Sequence, residues 1–313
     1  MYIQFLGTNA GLPGKNRNTS SLLIDLNEEV RGGELVMVDC GEAAQIQIIR
    51  QGNRFKNGGK PSIPKINKIF ITHLHMDHIL GLPGLLATAS TQGRTSELQI
   101  YAPPGLKEWV LATLKMTQTY LSYKVTFVEV AAGDSFVFED YSVHVFGLKH
   151  DVKSHAYHFV MNDKPGALDA VKAAQLGAKG KQLGQLKNGE DVTLKDGSVI
   201  QSSDVVGQDI KGKQILVCGD TKYRPSFEVD FPTDLDALVY EGTLDADETD
   251  DVLSRYMHST FQQAASLGNT LNVKQTFINH ISSRYLDAAD IESKVQSINP
   301  KARFVKDYDS FKI

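Results

Sequence analysis

Residues 69–78 read Ile69-Phe70-Ile71-Thr72-His73-Leu74-His75-Met76-Asp77-His78. An apolar run ends in three histidines and an aspartate, at His73, His75, Asp77 and His78. In an extended chain, residues two apart share a face, so His73 and His75 point the same way. Asp77 and His78 follow where the chain turns and approach from another side. Imidazole nitrogens and carboxylate oxygens are the donors that zinc and its neighbours accept. A solvated strand end would account for one such histidine. Three histidines and a carboxylate directly after an apolar strand point to a metal.

Other stretches deliver donors in the same way. Leu216-Val217-Cys218-Gly219-Asp220-Thr221 places a carboxylate after an apolar run, and Phe277-Ile278-Asn279-His280 places a histidine. His150, at the end of residues 141–150, is a third. Each alone is more often an ordinary strand-end polar residue; together they complete a coordination set. A catalytic zinc takes about three protein ligands and keeps a place for water. His73, His75 and His150 suit one metal, and Asp77, His78 and His280 a second. Asp220 has two oxygens with which to bridge them. Two metals roughly 3.5–4 Å apart clamp the oxygens of a phosphoryl displacement. His144, His155 and His158 are read as core or surface histidines.

The rest of the chain sets bounds. Its 313 residues suffice for one large domain or two modest ones, and 41% apolar with 22% charged residues is ordinary for a soluble globular protein. A formal charge of −4 gives no global sign of a nucleic-acid binder, so such a role needs locally concentrated positive charge. Cys40 and Cys218 alone exclude a disulfide framework and a four-cysteine zinc site. The N-terminus has neither the basic start nor the long apolar segment of a signal peptide, and no apolar run reaches the ~18 residues of a membrane span. A cytoplasmic protein without a membrane partner is expected.

Apolar patterning predicts strands at Tyr2–Leu6, Ser21–Asp25 and Leu35–Asp39, the last two a hairpin across a polar turn. A helix over Ala43–Arg50 precedes a loop rich in glycine, lysine and proline. Lys68–Thr72 is the strand that delivers the histidine cluster, with a helix from Gly81 behind it. Leu98–Tyr101 reads as a strand and Gly105–Thr117 as a helix. Thr126–Val130, Ser135–Phe138 and Tyr141–Phe146 read as adjacent antiparallel strands. His158–Met161, Gln214–Val217, Ala237–Tyr240 and Gln275–Ile278 follow as strands, Phe261–Leu267 and Ala288–Ile298 as helices, and Arg303–Val305 closes the chain. This mixture fits a two-layered sheet core flanked by helices.

One segment breaks the rhythm. From Met161 to Asp220 there is no Phe, Tyr or Trp, which predicts a poor core and a segment that projects from the body. Lys164, Lys172, Lys179, Lys181 and Lys187 stand there against a single acid, Asp169, within residues 164–187. Ala167–Leu176 is the expected helix. A solvated insertion with no partner would look the same.

His73-x-His75-x-Asp77-His78 with His150, Asp220 and His280 resembles the metallo-β-lactamase superfamily. The resemblance implies an α/β fold, an αββα sandwich with a dinuclear zinc site at the strand ends. Further stretches narrow it: Phe5-Leu6-Gly7-Thr8, Pro13-Gly14-Lys15-Asn16-Arg17-Asn18, Gly81-Leu82-Pro83-Gly84-Leu85-Leu86, His258-Ser259-Thr260 and His280-Ile281-Ser282-Ser283-Arg284-Tyr285. Together these are similar to the ribonuclease Z family, the short, homodimeric tRNA 3′-processing endonucleases. The resemblance implies a single domain over residues 1–313, with residues 163–212 as an inserted arm that grips precursor tRNA. It implies two Zn2+ per subunit, with Mn2+ a possible substitute. Asp77 becomes the general base, His258 the donor at the leaving oxygen and Glu241 its orienting partner. Lys15, Arg17, Asn18, Ser282 and Arg284 become candidates for contact with the RNA, as do Lys164, Lys172, Lys179 and Lys181 of the arm. Tyr240-Glu241-Gly242-Thr243 departs from the family's His-Glu-Ala-Thr, and the arm's Gly177-Ala178-Lys179-Gly180-Lys181 lacks its Gly-Pro pair. Two rivals share the sequence features. One is a metal-dependent phosphodiesterase or arylsulfatase for a small molecule; the other is a non-catalytic RNA-binding protein.

Overall fold

The computed structural model describes residues 1–26, 34–50, 61–225, 230–285 and 288–313. The polar turn expected between the second and third strands, and much of the glycine- and lysine-rich loop after Arg50, lie outside these residues. Contacts divide the chain into two compact units, Met1–Val137 with Ser142–Phe159 and Gln214–Ile313, and Phe138–Tyr141 with Val160–Lys213.

The larger unit is built on two seven-stranded sheets. The first takes β1 (Tyr2–Gly7), β2 (Ser21–Asp25), β3 (Leu35–Cys40), β4 (Ile66–Phe70), β5 (Leu98–Ala102) and β6 (Val125–Glu129) in spatial order. The pairs β1–β2 and β2–β3 are antiparallel, whereas β3–β4, β4–β5 and β5–β6 are parallel. The second begins with β7 (Ser135–Val137), β8 (Tyr141–Leu148) and β9 (Ser154–Met161). After the inserted β10 (Val192–Thr193) and β11 (Val199–Ile200), it continues through β12 (Gln214–Cys218), β13 (Ala237–Glu241), β14 (Gln275–Asn279) and β15 (Ala302–Phe304). The expected closing strand is not the last. β16 (Ser310–Lys312) returns to the first sheet and pairs antiparallel with β1.

The sheets meet through rings. Phe70 of β4 lies 5.2 Å from both Tyr157 and Phe159 of β9, and Phe5 of β1 lies 5.7 Å from Phe277 of β14. Ile69, one residue along, faces the opposite cluster with Leu82, Leu85 and Leu86 of the helix Leu82–Thr91. A strand buried on both faces reads as an unbroken apolar run, which is why residues 69–71 carry no polar alternation. On the second sheet, helices Phe261–Thr270 and Ala288–Ile298 cover the outer face through Phe261, Ala264, Ala265, Ile291 and Val295. The result is the helix–sheet–sheet–helix sandwich.

One pairing differs from the expectation. β6 belongs to the first sheet, parallel to β5, so only β7 and β8 of that expected trio are antiparallel neighbours. Alternation shows that a segment is a strand, not which layer it joins.

The smaller unit also departs from its reading. Aliphatic side chains substitute for the missing aromatics: Ala173, Ala178, Leu186, Val192, Ile200 and Val205 bury one another. The helix there spans only Ala170–Gln175, because the Asp169 carboxylate accepts the Lys172 N–H (2.9 Å) and sets its start. Leu176, at its C-terminal cap, precedes Gly177, whose φ is +104°. A second helix, Lys181–Lys187, the hairpin β10–β11 and a short helix, Ser202–Val205, follow in the unit.

Candidate metal centre

Every candidate ligand leaves the carboxyl end of a strand. β4 ends at Phe70, two residues earlier than expected, and the chain runs on extended to His75 before the short helix Met76–Ile79. The His155 N–H donates to the Thr72 carbonyl (3.0 Å) and the Gly219 N–H to that of His155 (3.2 Å), so this extension is clamped between the sheets. A Cβ on Gly219 would stand 2.5 Å from that of Thr72, so only glycine allows the β12 terminus to lie against it. β8, β12 and β14 then deliver His150, Asp220 and His280. Sites outside the carboxyl ends of parallel strands are a general property of such sheets.

Among the described residues three overlapping groups of donors result, each with its atoms within 4.8 Å of one another: His73, His75, His150 and Asp220; Asp77, His78 and His280; and Asp220, His258 and His280. The first two are the expected pair. Asp220 connects them. Its Oδ2 lies 3.6 Å from His73 Nε2 and 3.1 Å from His280 Nε2, and its Oδ1 lies 3.4 Å from His78 Nε2. Asp77 Oδ2 stands 3.3 Å from His280 Nε2 and 3.6 Å from His78 Nε2. In the first group His150 Nε2 lies 3.3 Å from His75 Nδ1.

These residues fit a metal by their own chemistry. Nε2 of His73 is buried without a hydrogen-bond partner and that of His78 has only the long approach to Asp220 Oδ1 (3.4 Å), a costly arrangement unless a ligand completes it. Burial, assisted by the charges of His78 and His150, holds His73 neutral, and burial lowers His75 as well; neutral imidazole is the ligating form. Burial alone would raise Asp220, but His280, His78 and His73 keep it well below the usual carboxylate range. Burial would lower His78, yet the carboxylates of Asp220 and Asp39 outweigh it and favour its proton. Binding of a divalent cation would therefore release that proton.

The residues that aim these ligands were not foreseen. Asp39, at the end of β3 with φ +57°, places Oδ2 2.7 Å from His78 Nδ1 and also accepts the Thr72 N–H and Oγ1–H, both at 2.8 Å. Thr72 Oγ1 lies 3.0 Å from His73 Nδ1, Thr243 Oγ1 2.9 Å from His280 Nδ1, and the Met257 carbonyl 2.9 Å from His150 Nδ1. Such partners fix which ring nitrogen faces the metal. Asp39→Asn, which replaces one anionic acceptor by an amide donor, is expected to weaken metal binding by about 10–100-fold. Chelator-competition titration of the purified variant measures it.

Beside the ligands, His258 Nδ1 lies 2.9 Å from Glu241 Oε1 and 4.0 Å from Asp220 Oδ2. Glu241 is itself fixed by the Thr221 N–H (2.7 Å), the Thr243 Oγ1–H (2.6 Å) and the Ser259 N–H (3.2 Å). Burial would lower His258, but the Glu241 carboxylate overrides it and pushes it up to about 9. The expected helix cap is also present, made by Thr260 and Gln263, so His258 precedes a helix without being part of its cap. Tyr240 is fully buried in the second layer's core, so the side chain before Glu241 serves packing.

A family model described as anti-Pycsar protein Apyc1 matches residues 1–168. That span ends short of Asp220, His258 and His280. The ribonuclease Z of Pediococcus pentosaceus is 41% identical over 314 residues, covering 99% of this chain and 98% of that protein. The chain belongs to the ribonuclease Z family. Among solved structures, human tRNase Z, short form, superposes with a TM-score of 0.67 at 23% identity, over 100% of this chain and 99% of that one. The metallo-β-lactamase fold protein YhfI from Bacillus subtilis gives 0.65 at 14% identity, over 99% and 98%. The sandwich is thus the metallo-β-lactamase fold.

The remaining candidate contact residues lie in three places. Lys15 is exposed on the loop between β1 and β2, beside a cavity of about 470 Å3 that Arg17, Asn18, Ile46, Arg50 and Tyr308 also line. Arg17 lines the cavity and is also anchored from within the fold. Its Nη1 donates to Thr8 Oγ1 (2.7 Å) and the Val305 carbonyl (2.6 Å), while the guanidinium lies 5.3 Å from the Phe304 ring. Asn18 Nδ2 donates to the Glu42 carbonyl (2.6 Å). Ser282 donates its N–H to the Thr243 carbonyl (3.3 Å), and Arg284 stands 3.8 Å from Glu248. In the smaller unit Lys164, Lys172, Lys179 and Lys181 are all exposed, though Lys172 Nζ donates to the Asp204 carbonyl (2.6 Å).

Proposed function

We propose that the chain is a metal-dependent endoribonuclease that removes the 3′ trailer from precursor tRNA. The observation that carries this is the pair of donor groups joined by Asp220, with His258 and Glu241 at their edge. Metal ions held by His73, His75 and His150, and by Asp77, His78 and His280, with Asp220 between, would supply Lewis acidity and a water of lowered pKa. We take them to be two zinc ions per subunit, with manganese a possible substitute.

The chain's own residues do the rest. Asp77 Oδ2 accepts the proton of the water that attacks phosphorus. The bond to the departing 3′ oxygen breaks, and His258, held at Nδ1 by Glu241, donates the proton that this oxygen takes up. The tRNA keeps a 3′-hydroxyl and the trailer a 5′-phosphate, because water rather than the ribose 2′-hydroxyl attacks. Lys15, Asn18, Ser282 and Arg284 contact the acceptor end, and residues 163–212 grip the tRNA body through Lys164, Lys172, Lys179 and Lys181. The protein acts as a homodimer in the cytoplasm; among the described residues no helix is long and apolar enough to cross a membrane.

Incubation of the purified protein with a 3′-extended precursor tRNA tests the reading. A tRNA ending in a 3′-hydroxyl, lost with chelator and restored by zinc or manganese, is the expected result. Hydrolysis of small phosphodiesters with an untouched precursor would give the site to a small-molecule enzyme; metal binding without any cleavage would leave an RNA-binding protein. His258→Ala is expected to lower kcat about 100-fold on precursor tRNA. The protonated imidazole is the working form, present below about pH 9 and lost above it. The wild-type rate should therefore decline above that pH, and this limb should vanish in the variant.

A further inference from the structure

The loop between β1 and β2 has two ends of different chemistry. Near its start the Gly11 N–H donates to Asp77 Oδ2 (2.8 Å), at the metal centre. Farther on, Lys15 stands exposed on the rim of the cavity. The Asn9 N–H already joins the two flanks by donating to the Asn18 carbonyl (2.8 Å), and a carboxylate from the C-terminal tail adds side-chain ties to the same pair of flanks. Asp307 Oδ1 accepts the Thr8 Oγ1–H (2.7 Å), and Oδ2 accepts the Asn18 N–H (2.6 Å) and Gln47 Nε2–H (2.9 Å). It thus ties together the first and last parts of the loop and the helix Ala44–Arg50. Tyr308 OH donates to Gln47 Oε1 (2.5 Å), which turns that amide's donor toward Asp307. Arg17 completes the tie through Thr8 Oγ1 and the Val305 carbonyl.

We propose that Asp307 is a positioning residue for RNA recognition: it locks the β1–β2 loop so that Lys15 is presented to precursor tRNA, with Arg17 as part of the lock. The proposal rests on the ribonuclease Z reading above. A carboxylate suits the role because it accepts on both oxygens, whereas an asparagine would turn an N–H2 toward one set of donors. None of the carboxylate's partners is a ligand, and the Gly11 end of the loop is held separately, by the Ala10 N–H on the Ile281 carbonyl (3.0 Å), so loss of the lock acts on RNA binding and leaves Asp77 aimed.

The test compares Asp307→Asn, Lys15→Ala and the double variant on 3′-extended precursor tRNA and on bis(p-nitrophenyl) phosphate. For Asp307→Asn the expected result is a precursor KM raised about 10-fold, with kcat and small-phosphodiester hydrolysis within about twofold of wild type. The double variant should be no worse than Lys15→Ala, since the lock works through Lys15. An unchanged precursor KM, equal losses on both substrates, or multiplying effects in the double variant would each overturn it. If Asp307→Asn does not fold, Thr8→Val, which removes one donor to the same carboxylate, should show the same split at about threefold; indifference there also overturns the lock. A wild-type protein that leaves precursor tRNA uncut is a separate outcome, which removes the ribonuclease Z reading and this proposal with it.

Discussion

Asp77→Ala is expected to abolish trailer removal, by about 10⁴-fold or more in kcat, while precursor tRNA still binds. Three observations converge on this side chain. Its Oδ2 lies 3.3 Å from His280 Nε2 and 3.6 Å from His78 Nε2, at a metal-facing edge. The same oxygen accepts the Gly11 N–H (2.8 Å), so the carboxylate is aimed rather than free to turn. Burial would raise its pKa, but the hydrogen bond to His280 and the charges of His78 and His280 hold it below the usual carboxylate range. It is therefore ionised at neutral pH and able to accept a proton. Asp77→Asn separates charge from shape: it keeps the size, loses the base and should be nearly as inactive. Single-turnover cleavage gives the chemical rate and filter binding the affinity. Normal cleavage by either variant would sink the assignment of the base.

Much of this centre was legible because it is written in contiguous residue types. His73, His75, Asp77 and His78 stand within six positions, and no packing is needed to see that a turn gathers them. Asp220 and His280 were legible by analogy of place, each following an apolar strand. Asp39 was not. Its role depends on β3 lying parallel to β4, which brings the end of one strand beside the Thr72–His78 turn, and pairing between distant segments leaves no mark in either. The Met257 carbonyl that holds His150 is less legible still, because every residue has a carbonyl and only the fold aims one. Arg17 shows the converse. A basic residue in a glycine-rich loop reads as a hand held out to phosphate, but the tail that carries Val305 and Asp307 also anchors it from within the fold.

The same limit explains the inserted segment, where composition predicted its charge better than its packing. The absence of aromatics suggested no core, yet short aliphatic side chains suffice to bury Leu186 and Ala173 completely. A small folded unit with its own core is what makes the second large effect testable by deletion. Lys164 and Ile210 pair as an antiparallel bridge at its base, and just outside them Asp163 Oδ1 accepts the Gly212 N–H (2.9 Å). Removing residues 164–211 therefore joins two residues already in contact. We expect kcat/KM for precursor tRNA to fall about 1,000-fold, the scale lost when one of two linked binding modules is removed. Hydrolysis of bis(p-nitrophenyl) phosphate should stay within about twofold, because every candidate ligand and His258 lie outside the deletion. Replacing Lys164, Lys179 and Lys181 by alanine should give part of the same loss and a shallower salt dependence of binding, since each lysine on a phosphate releases counterions. Equal loss of both activities in the deletion variant would make the segment structural, and a salt slope left unchanged by the triple substitution would take the RNA off these lysines.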